Sequence, residues 1–208
     1  MYFINQPMAE RLVNANMALS EALENEEIKE RFSEMVYEES RLNEGLALYR
    51  EAERIFQQQK QEYSEQYMST ETLYKRWDYA RGILKLHRTV TKAVFSENQN
   101  VLNMLGLDHG EKYSLAEWIL EGRHFYRTIL EREEISAPLT EYTLTSDKLE
   151  AGMALITEVE DLNQEQEKEK AEAKEATRQR DEAFAALDKY MILFNKVSIL
   201  LFNDRSDL

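Results

Sequence analysis

Residues 145–202, TSDKLEAGMALITEVEDLNQEQEKEKAEAKEATRQRDEAFAALDKYMILFNKVSILLF, hold no proline and a single glycine. Apolar residues return at helical spacing along the stretch, through Leu149, Ile156, Val159, Leu162, Ala173, Ala176, Ala183, Leu187, Met191, Phe194 and Val197. The stretch therefore reads as one helix, and at 1.5 Å of rise per residue its length would be about 85 Å. A rod of that length must lie on other long helices or reach beyond them. The expectation is an all-α protein: an elongated up-and-down helical bundle with a long C-terminal helix and coiled-coil-like packing, in a single domain covering residues 1–208.

The rest of the chain fits this frame. A first helix is expected after Pro7, with Met8, Leu12, Ala15, Leu19 and Leu23 on one face, and the run Glu24, Asn25, Glu26, Glu27 as a break or bend. Ile28, Met35, Leu42, Tyr49, Phe56 and Tyr63 then recur every seven residues, which predicts a second helix with a heptad seam. A turn is expected at Met68, Ser69 and Thr70, followed by a third helix with Leu73, Trp77, Ala80, Leu84, His87, Thr91 and Val94 on one face, so that the two form an antiparallel hairpin. Gly106 suits the left-handed residue that ends a helix. Ser114 and Glu117 form a capping box, with Tyr113 and Trp118 as its hydrophobic staple. Residues 135–145, which contain Pro138, read as an extended loop.

Composition narrows the function more by exclusion than by indication. The formal net charge is −14, which argues against a general binder of nucleic acid or anionic membrane, because phosphate contact needs clustered lysine and arginine. No cysteine is present, so disulfides, thiolate metal sites and cysteine nucleophiles are excluded. The first seven residues, MYFINQP, lack the basic start and apolar run of a signal peptide, and no apolar run is long enough for a membrane span, so the expected setting is cytoplasmic.

Four features invite a functional reading. Arg81, Lys85, Arg88 and Lys92 line one helix face, either as a docking surface for an anionic partner or nucleic acid, or as internal partners of glutamates on the second or the last helix. Glu121 and His124 have the Glu-x-x-His spacing of ferritin-like metal sites, but such a site needs the element twice and here it occurs once. His87 sits on an apolar face, where it could serve as a sheltered base or as a hydrogen-bonded histidine at the core's edge. Residues 190–202 are apolar around most of the helix, so Leu193, Phe194, Val197, Leu200 and Leu201 are expected either in the centre of the bundle or in an oligomer interface. No glycine-rich phosphate loop or nucleophile elbow is present.

Residues 172–191, EAKEATRQRDEAFAALDKYM, resemble the last helix of uncharacterised bacterial all-helical proteins of about 200 residues, in which a charged stretch runs through alanine, Leu-Asp and an aromatic residue into an apolar end. The resemblance implies no activity and no site residue. Taken together, the sequence points to a non-enzymatic structural, scaffold or adaptor protein acting through helix surfaces, with a homo-oligomer or a protein as partner. No catalytic residue, cofactor or metal ligand is assigned. The alternatives are a ferritin-like carboxylate and histidine metal enzyme, and an anionic-partner or nucleic-acid binder using the basic stripe.

Overall fold

The computed structural model describes residues 3–35, 37–108, 110 and 114–202. Among them are seven α-helices and no strand: α1 (Met8–Glu24), α2 (Glu26–Ser33), α3 (Glu39–Val94), α4 (Gln99–Met104), α5 (Leu115–Leu130), α6 (Glu133–Glu141) and α7 (Ser146–Phe202). The all-α expectation holds, and the long C-terminal helix is present with the predicted bounds to within a residue. The chain divides into two compact units, one of Met1–Ser64 with Ala171–Leu208 and one of Glu65–Lys170. α3 and α7 contribute to both.

In the first unit α1 and α2 join the start of α3 and the end of α7. Asn25 separates α1 from α2, where the acidic run predicts a break, and its side chain caps α2 by accepting from the Ile28 N–H. The helices bury Leu12, Ala15 and Leu19 of α1 against Leu42, Phe184, Leu187, Met191 and Phe194. Each large side chain buried there is worth about 1.5–3 kcal/mol, which gives this unit a core of its own. α3 and α7 run antiparallel within it: Arg41 accepts from Tyr190, the rings of Phe56 and Phe184 meet edge-on, and Tyr63 shares a hydrogen bond with Thr177.

The second unit packs α4, α5 and α6 on the remaining lengths of α3 and α7, around Leu84, Trp118, Phe125, Tyr126, Ile129, Leu139, Leu149 and Ile156. Gln166 donates to Thr70 at 3.2 Å and Arg76 pairs with Glu158 at 2.5 Å, again an antiparallel register. Gly106 takes φ 62° behind α4, and the Leu107 N–H reaches back to the Leu102 carbonyl, the helix-ending geometry its position predicts. Ser114 caps α5 by accepting from the Glu117 N–H, the serine half of the expected capping box, and the Glu117 carboxylate accepts from the Ser114 hydroxyl; Tyr113, the other half of the staple, lies outside the described residues.

Three expectations are corrected. No turn exists at Met68, Ser69 and Thr70, so the predicted hairpin is a single helix, α3. None of these residues breaks a helix, and Thr70 and Thr72 satisfy their hydroxyls on the carbonyls four residues back. The heptad seam is interrupted between α2 and α3, where Tyr37 folds into the aromatic cluster with Phe32 and Phe194 and its N–H bonds to the Phe32 carbonyl. Residues 133–141 are helical despite Pro138: Ile135 and Leu139, one turn apart, are both buried, and that burial outweighs the one backbone bond the proline removes.

Candidate functional site

The second unit contains a recess of about 410 Å³ between α3, the α6–α7 connection and the first turns of α7. Its floor is polar. His87 is 7% exposed, and its Nδ1 lies 3.0 Å from the hydroxyl of Tyr126, a residue wholly buried between α3, α5 and α7. Gly152 makes that placement possible, because a β-carbon there would overlap the Tyr126 ring. A hydroxyl proton stranded in the core costs about 1–3 kcal/mol, so Tyr126 donates to Nδ1 and the proton of the neutral imidazole stays on Nε2. Nε2 is the ring nitrogen left for the recess.

Lys148 stands at the mouth and donates to the Thr143 carbonyl at 2.7 Å. Thr143 has φ 65°, a conformation that a β-branched residue rarely adopts and that persists only where its surroundings hold it. The rim is apolar and open to solvent: Tyr79, Leu86 and Tyr142 are each more than half exposed.

Burial holds the His87 imidazole below its usual pKa, and the nearby Lys148 ammonium adds to the effect. The folded chain therefore keeps His87 neutral where the unfolded chain takes up a proton, near pH 6.5. Its contribution to stability is present above that pH and is lost as pH falls toward the lowered folded value. Between pH 7.5 and 5.5 the wild type is expected to lose more unfolding free energy than His87→Gln, measured by urea denaturation at each pH. Parallel pH profiles for the two proteins would show that His87 is not held neutral.

The residues singled out from the sequence separate in the fold. Arg88 is buried, donating to the Gly106 carbonyl at 2.9 Å with Glu121 at 3.5 Å, so it ties α3 to the α4 end and to α5. Arg81, Lys85 and Lys92 stay on the exposed side of α3. The glutamate that meets Arg88 lies on α5, a helix not among the expected partners. His124 lies 2.8 Å from the Met104 carbonyl through Nε2, while Glu121 faces Arg88, so the Glu-x-x-His pair is engaged in two separate contacts rather than converging.

The end of α7 divides cleanly. Phe194 stacks on Phe32 with ring centroids 4.9 Å apart, and Val197 and Leu201 pack on the first unit's core, so these three are core residues. Leu193 and Leu200 are 45% and 63% exposed, and Ile192 and Ile199 share their outward face. Beside them, Tyr37, Arg41, Lys189, Tyr190 and Leu193 border a second recess of about 530 Å³. A third, of about 380 Å³ in the second unit, is bordered by Glu65, Glu165 and Glu169. Among the described residues no helix is long and apolar enough to cross a membrane. Comparison with known proteins finds no family model, no curated protein and no solved structure that matches the chain.

Proposed function

We propose that this chain is a non-enzymatic scaffold or adaptor protein working through helix surfaces, and that the outward stripe at the end of α7 seats a second copy of the chain. The observation that carries the proposal is the division of residues 190–202 into a packed face and an exposed one. Ile192 and Leu193 lie two turns from Ile199 and Leu200 on the exposed face, with Lys196, the only charge between them, on the intervening turn. Scattered exposed leucines need no explanation, but four on one stripe mark a contact surface.

A second copy suits the stripe. The rest of the chain carries a large excess of carboxylates, which repel between copies, so association favours the nearly uncharged stripe, and a self-complementary patch closes as a two-fold dimer. Covering a half-exposed leucine or isoleucine contributes about 1 kcal/mol. Eight such side chains, four from each copy, contribute about 8 kcal/mol in all and exceed the entropic cost of association only narrowly, so a weak dimer, near millimolar, is the expected strength. The proposal includes a cytoplasmic setting.

Leu193→Glu with Leu200→Glu tests this. Both side chains are exposed, so the variant is expected to keep its helical circular dichroism and to melt within a few degrees of the wild type while its mass in solution falls to that of one chain. A variant that keeps the wild-type mass would remove the stripe as the interface.

A further inference from the structure

The recess of the second unit has a chemistry of its own, independent of the α7 stripe. The chain carries forty acidic side chains, yet none among the described residues lines it. Its polar side chains carry no negative charge: the His87 Nε2–H lies at the floor, the Lys148 ammonium at the mouth spends one of its three protons on the Thr143 carbonyl, and the hydroxyls of Tyr79, Tyr142 and Thr143 complete the set. Its walls are Ile83, Val90, Leu144 and Leu155, and its rim exposes Tyr79, Leu86 and Tyr142 to water.

We propose that this recess binds a small monocarboxylate with an apolar body, its carboxylate between His87 Nε2–H and Lys148 and its hydrocarbon against the aliphatic walls. The volume of about 410 Å³ lies in the usual range for small-ligand sites and takes an acyl or aryl chain of about eight carbons. The single positive charge of Lys148 matches a single negative charge better than a phosphate dianion, and a cation would meet only like charge. The apolar rim is then what the ligand covers. Thr143 takes its positive φ where α6 ends, with its N–H on the Thr140 carbonyl and the Leu144 N–H on the Leu139 carbonyl, and its own carbonyl keeps the Lys148 ammonium at the mouth.

Calorimetric titration of the full chain with octanoate, and with 1-octanol and octylammonium as uncharged and cationic counterparts, tests the assignment. Octanoate is expected to bind one per chain, about tenfold or more tighter than octanol, with no binding of octylammonium. Lys148→Met, at an exposed position, is expected to weaken octanoate about tenfold and to leave octanol unchanged. Ala151→Trp, which places an indole at the mouth, is expected to abolish binding of both. The Leu193→Glu and Leu200→Glu variant should bind octanoate as the wild type does, which separates this site from the self-association proposal. Octanoate that fails to bind at millimolar concentration, binds no better than octanol, or is unaffected by either Lys148→Met or Ala151→Trp would overturn the assignment.

Discussion

Arg11→Ala is expected to destabilise the protein by about 3 kcal/mol, far more than loss of a surface cation. Arg11 and Asp188 form an ion pair at 2.5 Å in the first unit, with side chains only 11% and 17% exposed, and the guanidinium lies over the Phe184 ring at 5.0 Å. Removing the arginine leaves the Asp188 carboxylate in a poorly solvated place without its counter-charge. Burial already raises the Asp188 pKa above its ordinary value, with Arg11 opposing the rise. In the variant that opposition is gone, so the folded state takes up a proton at a higher pH than the unfolded chain does. Stability gained from that proton is present at low pH and is lost as pH rises through the folded pKa. The deficit relative to wild type should thus be smaller at pH 5 than at pH 7. Arg11→Met combined with Asp188→Leu should recover most of the loss, because an apolar pair of similar volume needs no counter-charge. Equal deficits at both pH values would mean that Asp188 stays solvated.

Gly152→Ala should cost about 2–4 kcal/mol, although alanine is ordinarily the better helix residue by about 1 kcal/mol. The added methyl would occupy the space of the Tyr126 ring and hydroxyl. Tyr126 cannot retreat: it is wholly buried, edge-on to Phe125 at 5.2 Å and to His87 at 5.8 Å, and bonded to His87 Nδ1. Gly45 supplies the comparison. A β-carbon there would meet the Tyr190 ring, but Tyr190 is half-buried beside the 530 Å³ recess and has room to tilt at the expense of its bond to the Arg41 carbonyl, so Gly45→Ala should cost less than Gly152→Ala. Gly152→Ala with Tyr126→Phe should cost less than the sum of the single changes, since the hydroxyl is one of the overlapping atoms. Urea denaturation of the four variants checks the order; a stabilised Gly152→Ala would show that Tyr126 moves freely.

What the sequence made legible follows from local chemistry. α7 was visible because 57 residues lack a breaker and keep a helical apolar period, and Asn25, Gly106 and Ser114 each mark a terminus by a side-chain or backbone property of their own. The continuity of α3 was obscured because Met68, Ser69 and Thr70 look turn-like, while the Thr70 hydroxyl is satisfied within the helix. The break before α3 was hidden because Tyr37 leaves the helical register to fill a tertiary slot against Phe32 and Phe194, which no periodicity encodes. Pro138 was read for its missing N–H, not for the burial of Ile135 and Leu139 around it.

The candidate sites were less legible, and for a different reason. His87 was identifiable as a histidine on an apolar face, but its partner Tyr126 is 39 residues away and the glycine that admits the tyrosine lies on α7. A helical pattern states which residues face inward without stating which of them meet. For the same reason Leu193 and Phe194, neighbours in one apolar run, could not be separated into surface and core until the rotation of α7 against Phe32 was known.

The central claim, that the exposed stripe of α7 joins two copies of the chain, is tested most directly by sedimentation equilibrium of the wild type from about 10 micromolar to about 1 millimolar at moderate salt. The expected result is a mass that rises with concentration from one chain toward two and does not pass two, as a closed two-fold contact requires. A mass of one chain across the whole range would contradict the claim.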